Sequence, residues 1–288
     1  MLWFSFAVLS ALAVAGRDVS IKALFTNEKP LQIAACELFW SLPVFVAATL
    51  FTPVPEFERG FWTIFLLTLP LEIIAYLLYM YAIRVSPLTL TVPFLAFTPV
   101  FMILTGQLFL GETVNYWGGL GITAVVAGSY ILHLEKGKED WWGPIAGFLR
   151  ERGSWLMFLV AVFYSLTAVL GKKAMLYSSP LYFSFLFSVA FNVLMLSGLL
   201  ACGAADGRLL LRQSGKGLWF ALLLLASAIF HGLGITLTEA VYMIAVKRSS
   251  ILFGVLGGWL ILKEENRGWR GLGSLCMFVG VLLITLLG

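Results

Sequence analysis

Charge is the scarcest commodity in this sequence. Only 12% of its residues are Asp, Glu, Lys or Arg, while 60% are hydrophobic and mean hydropathy is +0.96. An ordinary soluble domain is about a quarter charged, so that class is excluded. Regular alternation of apolar and polar residues is also missing, which excludes a membrane barrel. Cysteine occurs three times, at Cys36, Cys202 and Cys276. The number is odd and no CxxC spacing occurs, which argues against a disulfide framework or a metal site. No GxxxxGK[ST] run exists, so the chain alone is not expected to drive a reaction with ATP. No cofactor motif is present. The net charge of +4 comes from short patches between apolar runs rather than from a basic domain, so no nucleic-acid partner is expected. The start, Met1-Leu2-Trp3-Phe4, lacks the basic region of a cleaved signal and is read as the opening of a first span.

What is present is a series of apolar runs of about 20 residues, the length that crosses a bilayer as a helix. We place spans at 3–25, 31–51, 61–83, 88–110, 117–134, 155–177, 181–202, 218–237, 240–262 and 269–287. The expected fold is an all-α integral membrane protein with ten transmembrane helices. Pro30, Pro53-Val54-Pro55, Ser86-Pro87, Gly111 and Ser178-Ser179-Pro180 punctuate the gaps. Trp62, Trp117, Trp155, Trp219 and Trp269 open helices, as interfacial aromatics do.

The two halves resemble each other. Leu108-Phe109-Leu110-Gly111-Glu112 closes span four as Leu260-Ile261-Leu262-Lys263-Glu264 closes span nine. Trp117, Gly119, Leu120, Gly121 and Gly128 match Trp269, Gly271, Leu272, Gly273 and Gly280. Lys22 with Pro30 matches Lys172 with Pro180. The halves are therefore 1–134 and 155–288, with a linker at 135–154 that holds Trp141-Trp142-Gly143-Pro144. Five spans per half is an odd number, so the second copy enters from the opposite face. That is the inverted-repeat plan of many secondary transporters, with a site where the halves meet.

Two stretches resemble the drug/metabolite transporter superfamily, EamA type. One is Pro99-Val100-Phe101, Gly106 and Leu110-Gly111-Glu112 followed by the glycine-rich span five. The other runs from Tyr242-Met243-Ile244-Ala245-Val246-Lys247-Arg248-Ser249-Ser250 to Lys263-Glu264. The resemblance implies a ten-helix carrier of small organic molecules, often outward, with a cavity between the halves. One position departs: Glu37 stands where family members often carry an arginine early in span two.

Ionisable groups inside spans are costly in hydrocarbon and should face the bundle interior, a partner or water. Lys247 and Arg248 lie about seven residues, or ~10 Å, into span nine. Adjacent helical residues point about 100° apart, so the two are not expected to face one groove squarely. Either one binds a substrate carboxylate or phosphate, or both serve helix-end carbonyls, pair with Glu239 or snorkel to the interface. Arg17 and Lys172 are further candidates for substrate binding. Arg17 and its neighbour Asp18 are expected to bond to different helices. Lys172 and Lys22 read as gate cations or as helix-end lysines. Glu72, mid-span, reads as a proton-coupling site or a structural partner of a base. His231 reads as a second coupling candidate or a packed histidine.

Glu112 and Glu264 are read as structural, each facing the N-terminal dipole of the glycine- and tryptophan-marked helix that follows it. Pro93 and Pro99 either bend span four towards a cavity or only distort packing. Gly118, Gly121, Gly128, Gly254, Gly258, Gly273 and Gly280 are expected to allow close helix approach, with a homodimer face as one use.

The expected function is secondary transport, as an exporter, of a small anionic or zwitterionic metabolite by alternating access. The cavity is expected between spans one, three, four, six, eight and nine, in a multi-pass protein of the cell (inner) membrane. The alternative is a flippase or carrier for a phosphate-bearing lipid or nucleotide-linked sugar. A membrane-embedded enzyme is weaker, because no nucleophile or His/Asp cluster exists. For orientation, Lys29, Arg84, Lys136, Lys138, Arg150, Arg152, Arg208, Arg212, Lys216, Lys263, Arg267 and Arg270 fall in or beside the odd-numbered loops. Only Arg59 falls on the other side. The charge rule then puts odd loops in the cytoplasm and both termini outside. The resemblance implies the reverse.

Overall fold

The computed structural model describes residues 2–25, 28, 30–86, 92–132, 152–203, 205, 207–260 and 269–288. The expectations for Lys263 and Glu264, for nearly all of the 135–154 linker, and for Lys29 and Arg267 lie outside these. Among the described residues every regular element is a helix. In the first half these are α1 (Leu2–Leu24), α2 (Pro30–Phe51), α3 (Phe61–Val85), a 3₁₀ segment (Val92–Phe97), α4 (Thr98–Leu110) and α5 (Tyr116–Leu132). In the second they are α6 (Arg152–Leu176), α7 (Pro180–Ala201), a short α8 (Gly207–Arg212), α9 (Ser214–Ile235), α10 (Ala240–Lys247), α11 (Ser250–Leu260) and α12 (Trp269–Leu287). Six of these, α1, α2, α3, α6, α7 and α9, are long and apolar enough to cross a membrane by themselves, and Phe94–Leu110 and Leu272–Leu287 are shorter apolar stretches.

Local chemistry explains the breaks. Pro30 and Pro180 sit at the first turn of α2 and α7, where a missing N–H costs nothing. Gly111 ends α4 in the left-handed region at φ 70, which only glycine enters cheaply, and its N–H bonds the Gln107 carbonyl at 3.1 Å. This turn folds Glu112 back beside Gly106. Span four is not one helix, because the 3₁₀ segment covers Val92–Phe97 and the α-helix starts only at Thr98. Span nine is also not one helix: it stops at Lys247, passes through a turn at Arg248 and Ser249, and restarts at Ser250.

The packing exchanges the two halves. α1 packs on α9 as α3 packs on α6; α4 packs on α6 as α1 packs on α11; α2 meets α7 and α5 meets α12. The α5–α12 contact is the closest. A Cβ on Gly121 would lie 2.7 Å from the Gly280 carbonyl oxygen, and one on Gly128 would lie 2.6 Å from that of Gly273. These pairings run in opposite chain directions, so the helices cross antiparallel with their backbones in contact. In lipid such close packing, rather than hydrophobic burial, holds helices together. Gly254 departs from expectation, because among the described residues nothing lies within 4 Å of a Cβ there.

Across the halves, Asn192 Nδ2 donates to Ser41 Oγ at 2.8 Å, and Ser10 Oγ donates to the Ser227 carbonyl at 3.2 Å. Aromatic residues fill one end of the bundle, where Phe61, Phe65, Phe183 and Phe187 make a ring cluster.

Candidate functional site

A cavity of about 370 Å³ lies between the halves. Its wall takes Val14 from α1, Thr68 and Glu72 from α3, and Thr98 from α4. Tyr164, Thr167, Ala168, Gly171 and Met175 come from α6, while Phe183, Ser184, Phe187 and Ser188 come from α7. Ala228 and His231 of α9, with Ile244, Lys247, Arg248 and Ser250 around the α10–α11 break, complete it. Helix α7 was missed at the sequence level because that reading followed charge, and α7 carries none here.

Four of the six expected site residues meet in this cavity: Lys247, Arg248, Glu72 and His231. The expectation that Lys247 and Arg248 could not share a groove is corrected. Arg248 keeps helical backbone angles and its N–H still bonds the Ile244 carbonyl at 3.1 Å, so the two side chains diverge as a helix requires, yet the cavity is wide enough to be lined by both. Arg248 Nη2 donates to Thr98 Oγ1 at 3.1 Å, tying one helix break to the other. Among the described residues neither Lys247 nor Arg248 is ion-paired, so the expected pairing with Glu239 is absent. Glu239 instead accepts from the Thr238 hydroxyl at 3.2 Å. Arg248 Nε and His231 Nδ1 are buried with no hydrogen-bond partner among the described residues. Glu72 lies beside the Thr167 hydroxyl, and Lys247 is the cation acting on it.

The breaks add a second source of positive potential. α4 begins at Thr98 and α11 at Ser250, and both residues line the cavity. A helix N-terminus carries partial positive charge, which favours an anion, although the Ile251 and Phe253 N–H groups already bond the Arg248 and Ser249 carbonyls and Pro99 has no N–H to offer. Two cations and two helix starts thus face one space with a single carboxylate.

Arg17 and Lys172 lie elsewhere. Arg17 binds Glu37 through two bonds, Nε to Oε1 at 2.8 Å and Nη2 to Oε2 at 2.6 Å, and binds Asp18 Oδ1 at 3.0 Å. The bidentate geometry is the strong form of the pair. The expectation that Arg17 and Asp18 bond only to different helices is corrected, since Arg17 spans both acids. This also accounts for Glu37 at the position where relatives often carry arginine: here it is the acid of a pair whose base comes from α1.

Lys172 Nζ donates to Glu112 Oε1 at 2.5 Å and to the Thr238 carbonyl at 2.5 Å, and is 7% exposed. Glu112 Oε2 accepts from the Ala240 N–H at 2.9 Å. Glu112 therefore serves the N-terminus of α10 rather than of α5, because the Gly111 turn aims it at the other half. The clamp joins the end of α4, the end of α6 and the start of α10. Lys22 is exposed, and Lys173 donates to the Phe109 carbonyl at 3.1 Å.

The apolar helices thus enclose, between two packed halves, a largely apolar cavity with Lys247, Arg248, Glu72 and His231 in its wall, an arrangement that a membrane carrier would need. The comparisons with known proteins agree. Residues 1–134 match the model of the EamA-like transporter family, which lies within the drug/metabolite transporter superfamily. That match and the apolar helices together make the chain a multi-pass membrane protein. No curated protein matches the sequence. Of the solved structures, 28 chains match. One, described only as "Crystal structure of protein", superposes with a TM-score of 0.74 at 15% identity, covering 99% of both chains. At that identity the likeness concerns the fold.

Proposed function

We propose that the chain is a secondary transporter for a small organic anion or zwitterion, working by alternating access around the 370 Å³ cavity. The observation that carries this reading is the pair of unpaired cations, Lys247 and Arg248, set at a helix break in the cavity wall. A half-buried cation with no acid in contact is costly inside a membrane, and a substrate carboxylate or phosphate would relieve that cost when it binds. Glu72, across the same space, would hold an ammonium group of a zwitterion or take up a coupling proton, with His231 as the second coupling group.

The cavity lies at the small end of the ligand-pocket range of roughly 300–1,000 Å³. That size favours a metabolite over the alternative cargo, a phosphate-bearing lipid or nucleotide-linked sugar. The packing that exchanges halves, with α5 and α12 antiparallel, supports ten spans in two inverted five-helix repeats, 1–134 and 155–288. The outward direction and a place in the cell (inner) membrane follow from the resemblance.

The test is a thermal-shift screen of the purified protein against amino acids, amines, sugar phosphates, nucleotides and lipid phosphates. A ligand at 100 times its Kd adds about 2.7 kcal/mol to stability. Anionic or zwitterionic compounds should raise Tm, and Arg248→Gln and Lys247→Gln should abolish the rise and transport of the same compound. Folded variants that still transport it would overturn the assignment.

A further inference from the structure

The cavity is lined by several hydroxyl groups, but most have already spent their one proton and can only accept from a ligand. Thr68 donates to the Ile64 carbonyl at 2.7 Å, Thr98 to that of Leu95 at 2.7 Å, and Thr167 to that of Tyr164 at 3.4 Å. Ser184 and Ser188 donate to the Pro180 and Ser184 carbonyls, each at 2.7 Å. Four of these hydroxyl protons are thus committed to the backbone of their own segments, a habit of Ser and Thr in helices, and that of Thr167 lies between the Tyr164 carbonyl and the Glu72 carboxylate. The unspent polar atoms include Arg248 Nε and His231 Nδ1, which have no partner among the described residues, and Lys247, which acts on Glu72 without a contact ion pair.

Another part of the wall is aromatic. Phe183 and Phe187 stand one helical turn apart on α7 and stack with centroids 5.3 Å apart and an interplanar angle of 28°. Phe65 meets both edge-on, at 6.0 Å and 5.7 Å, and Phe61 meets Phe183 at 6.4 Å. The two rings that line the cavity are therefore held from behind by two that do not, which makes a firm apolar wall. Met175, Ala168 and Ile244 extend it.

We propose that the ligand of this cavity is an amphipathic organic acid, whose anionic group meets Lys247 and Arg248 and whose flat apolar body packs on the Phe183–Phe187 wall. The inference rests on the carrier reading above and narrows it. A polyhydroxylated ligand such as a sugar phosphate needs many hydrogen-bond partners, and each hydroxyl it buries without one is penalised. A ring needs none, and it gains from offset or edge contact with the phenylalanines.

The experiment measures Kd for acetate, phenylacetate, inorganic phosphate and glucose 6-phosphate on the purified full chain, by calorimetry. Phenylacetate should bind at least about ten-fold tighter than acetate, and glucose 6-phosphate no tighter than phosphate. Phe187→Ala should weaken phenylacetate about ten-fold and leave acetate within about two-fold. Phe187→Leu, which keeps bulk but removes the ring face, should reduce the same preference and serves if the alanine variant fails to fold. Equal binding of acetate and phenylacetate, or a preference unchanged in the Phe187 variants, overturns the amphipathic ligand while leaving an anion carrier. Tighter binding of glucose 6-phosphate than of phosphate overturns it too. Failure of all four anions to bind overturns both readings.

Discussion

The clamp between Glu112 and Lys172 makes a quantitative prediction about how the halves hold together. Its two side chains are 11% and 8% exposed, so each charge depends on the other. Breaking a buried ion pair from one side costs about 3–5 kcal/mol, because a charge is left without its partner. Here each orphan keeps one neutral contact, Lys172 with the Thr238 carbonyl and Glu112 with the Ala240 N–H, which puts both at the lower end. We expect Glu112→Gln and Lys172→Met to cost about 3 kcal/mol each. Glu112→Gln retains an acceptor for Ala240, whereas Glu112→Ala should cost about 1 kcal/mol more, the value of a helix cap. The double variant Glu112→Gln with Lys172→Met carries neither charge and should cost about 3 kcal/mol rather than the additive figure of about 6, a coupling of about 3 kcal/mol. Thermal unfolding in detergent, followed by fluorescence, reads all four variants. Additive losses would refute the clamp. A double variant as stable as the parent would show instead that the pair contributes no net stability, the outcome known for some buried pairs. Because the clamp holds the start of α10, whose end carries Lys247, transport by the double variant should fall even where stability recovers.

Three further predictions follow from the same geometry. Gly128→Ala would put a Cβ 2.6 Å from the Gly273 backbone oxygen, so the α5–α12 crossing must open; we expect a loss of about 2 kcal/mol, whereas Gly254→Ala, which meets nothing among the described residues, should be neutral or stabilising in the same unfolding assay. Glu72→Gln should leave the fold intact but remove the pH dependence of uptake into proteoliposomes, and an unchanged pH profile would return Glu72 to a structural role. Cysteines placed one at a time in the 135–154 linker should resist membrane-impermeant maleimide in intact cells; labelling there would overturn the placement of odd loops in the cytoplasm for both the charge rule and our reading of it.

Composition and periodicity were sufficient to determine the solvent of this protein, its apolar helices and most of their limits. The starts read at 31, 61, 181 and 240 fall within a residue of α2, α3, α7 and α10. Length and hydropathy are local properties, and Pro30, Pro180 and Gly111 act on their own turns, so a linear reading captures them. The choice of Lys247, Arg248, Glu72 and His231 as residues worth watching was also legible, because a charge in hydrocarbon needs a reason wherever it lies.

What the charge meets is a property of neighbours distant in sequence, and only the tertiary structure decided that. Arg17 and Lys172 looked as eligible as Arg248, yet each found an acid, Glu37 at 20 positions and Glu112 at 60 positions along the chain, while Arg248 found the Thr98 hydroxyl. The break at Arg248–Ser249 carries no proline or glycine to announce it, and the reach of one cavity to both Lys247 and Arg248 could not be read from helical angles. The α7 wall was hidden for the opposite reason: Phe183 and Phe187 look like any lipid-facing aromatics until Phe61 and Phe65 are seen packed behind them. Packing partners across the bundle assign these roles, and no local pattern in the chain encodes which partner a buried side chain will reach.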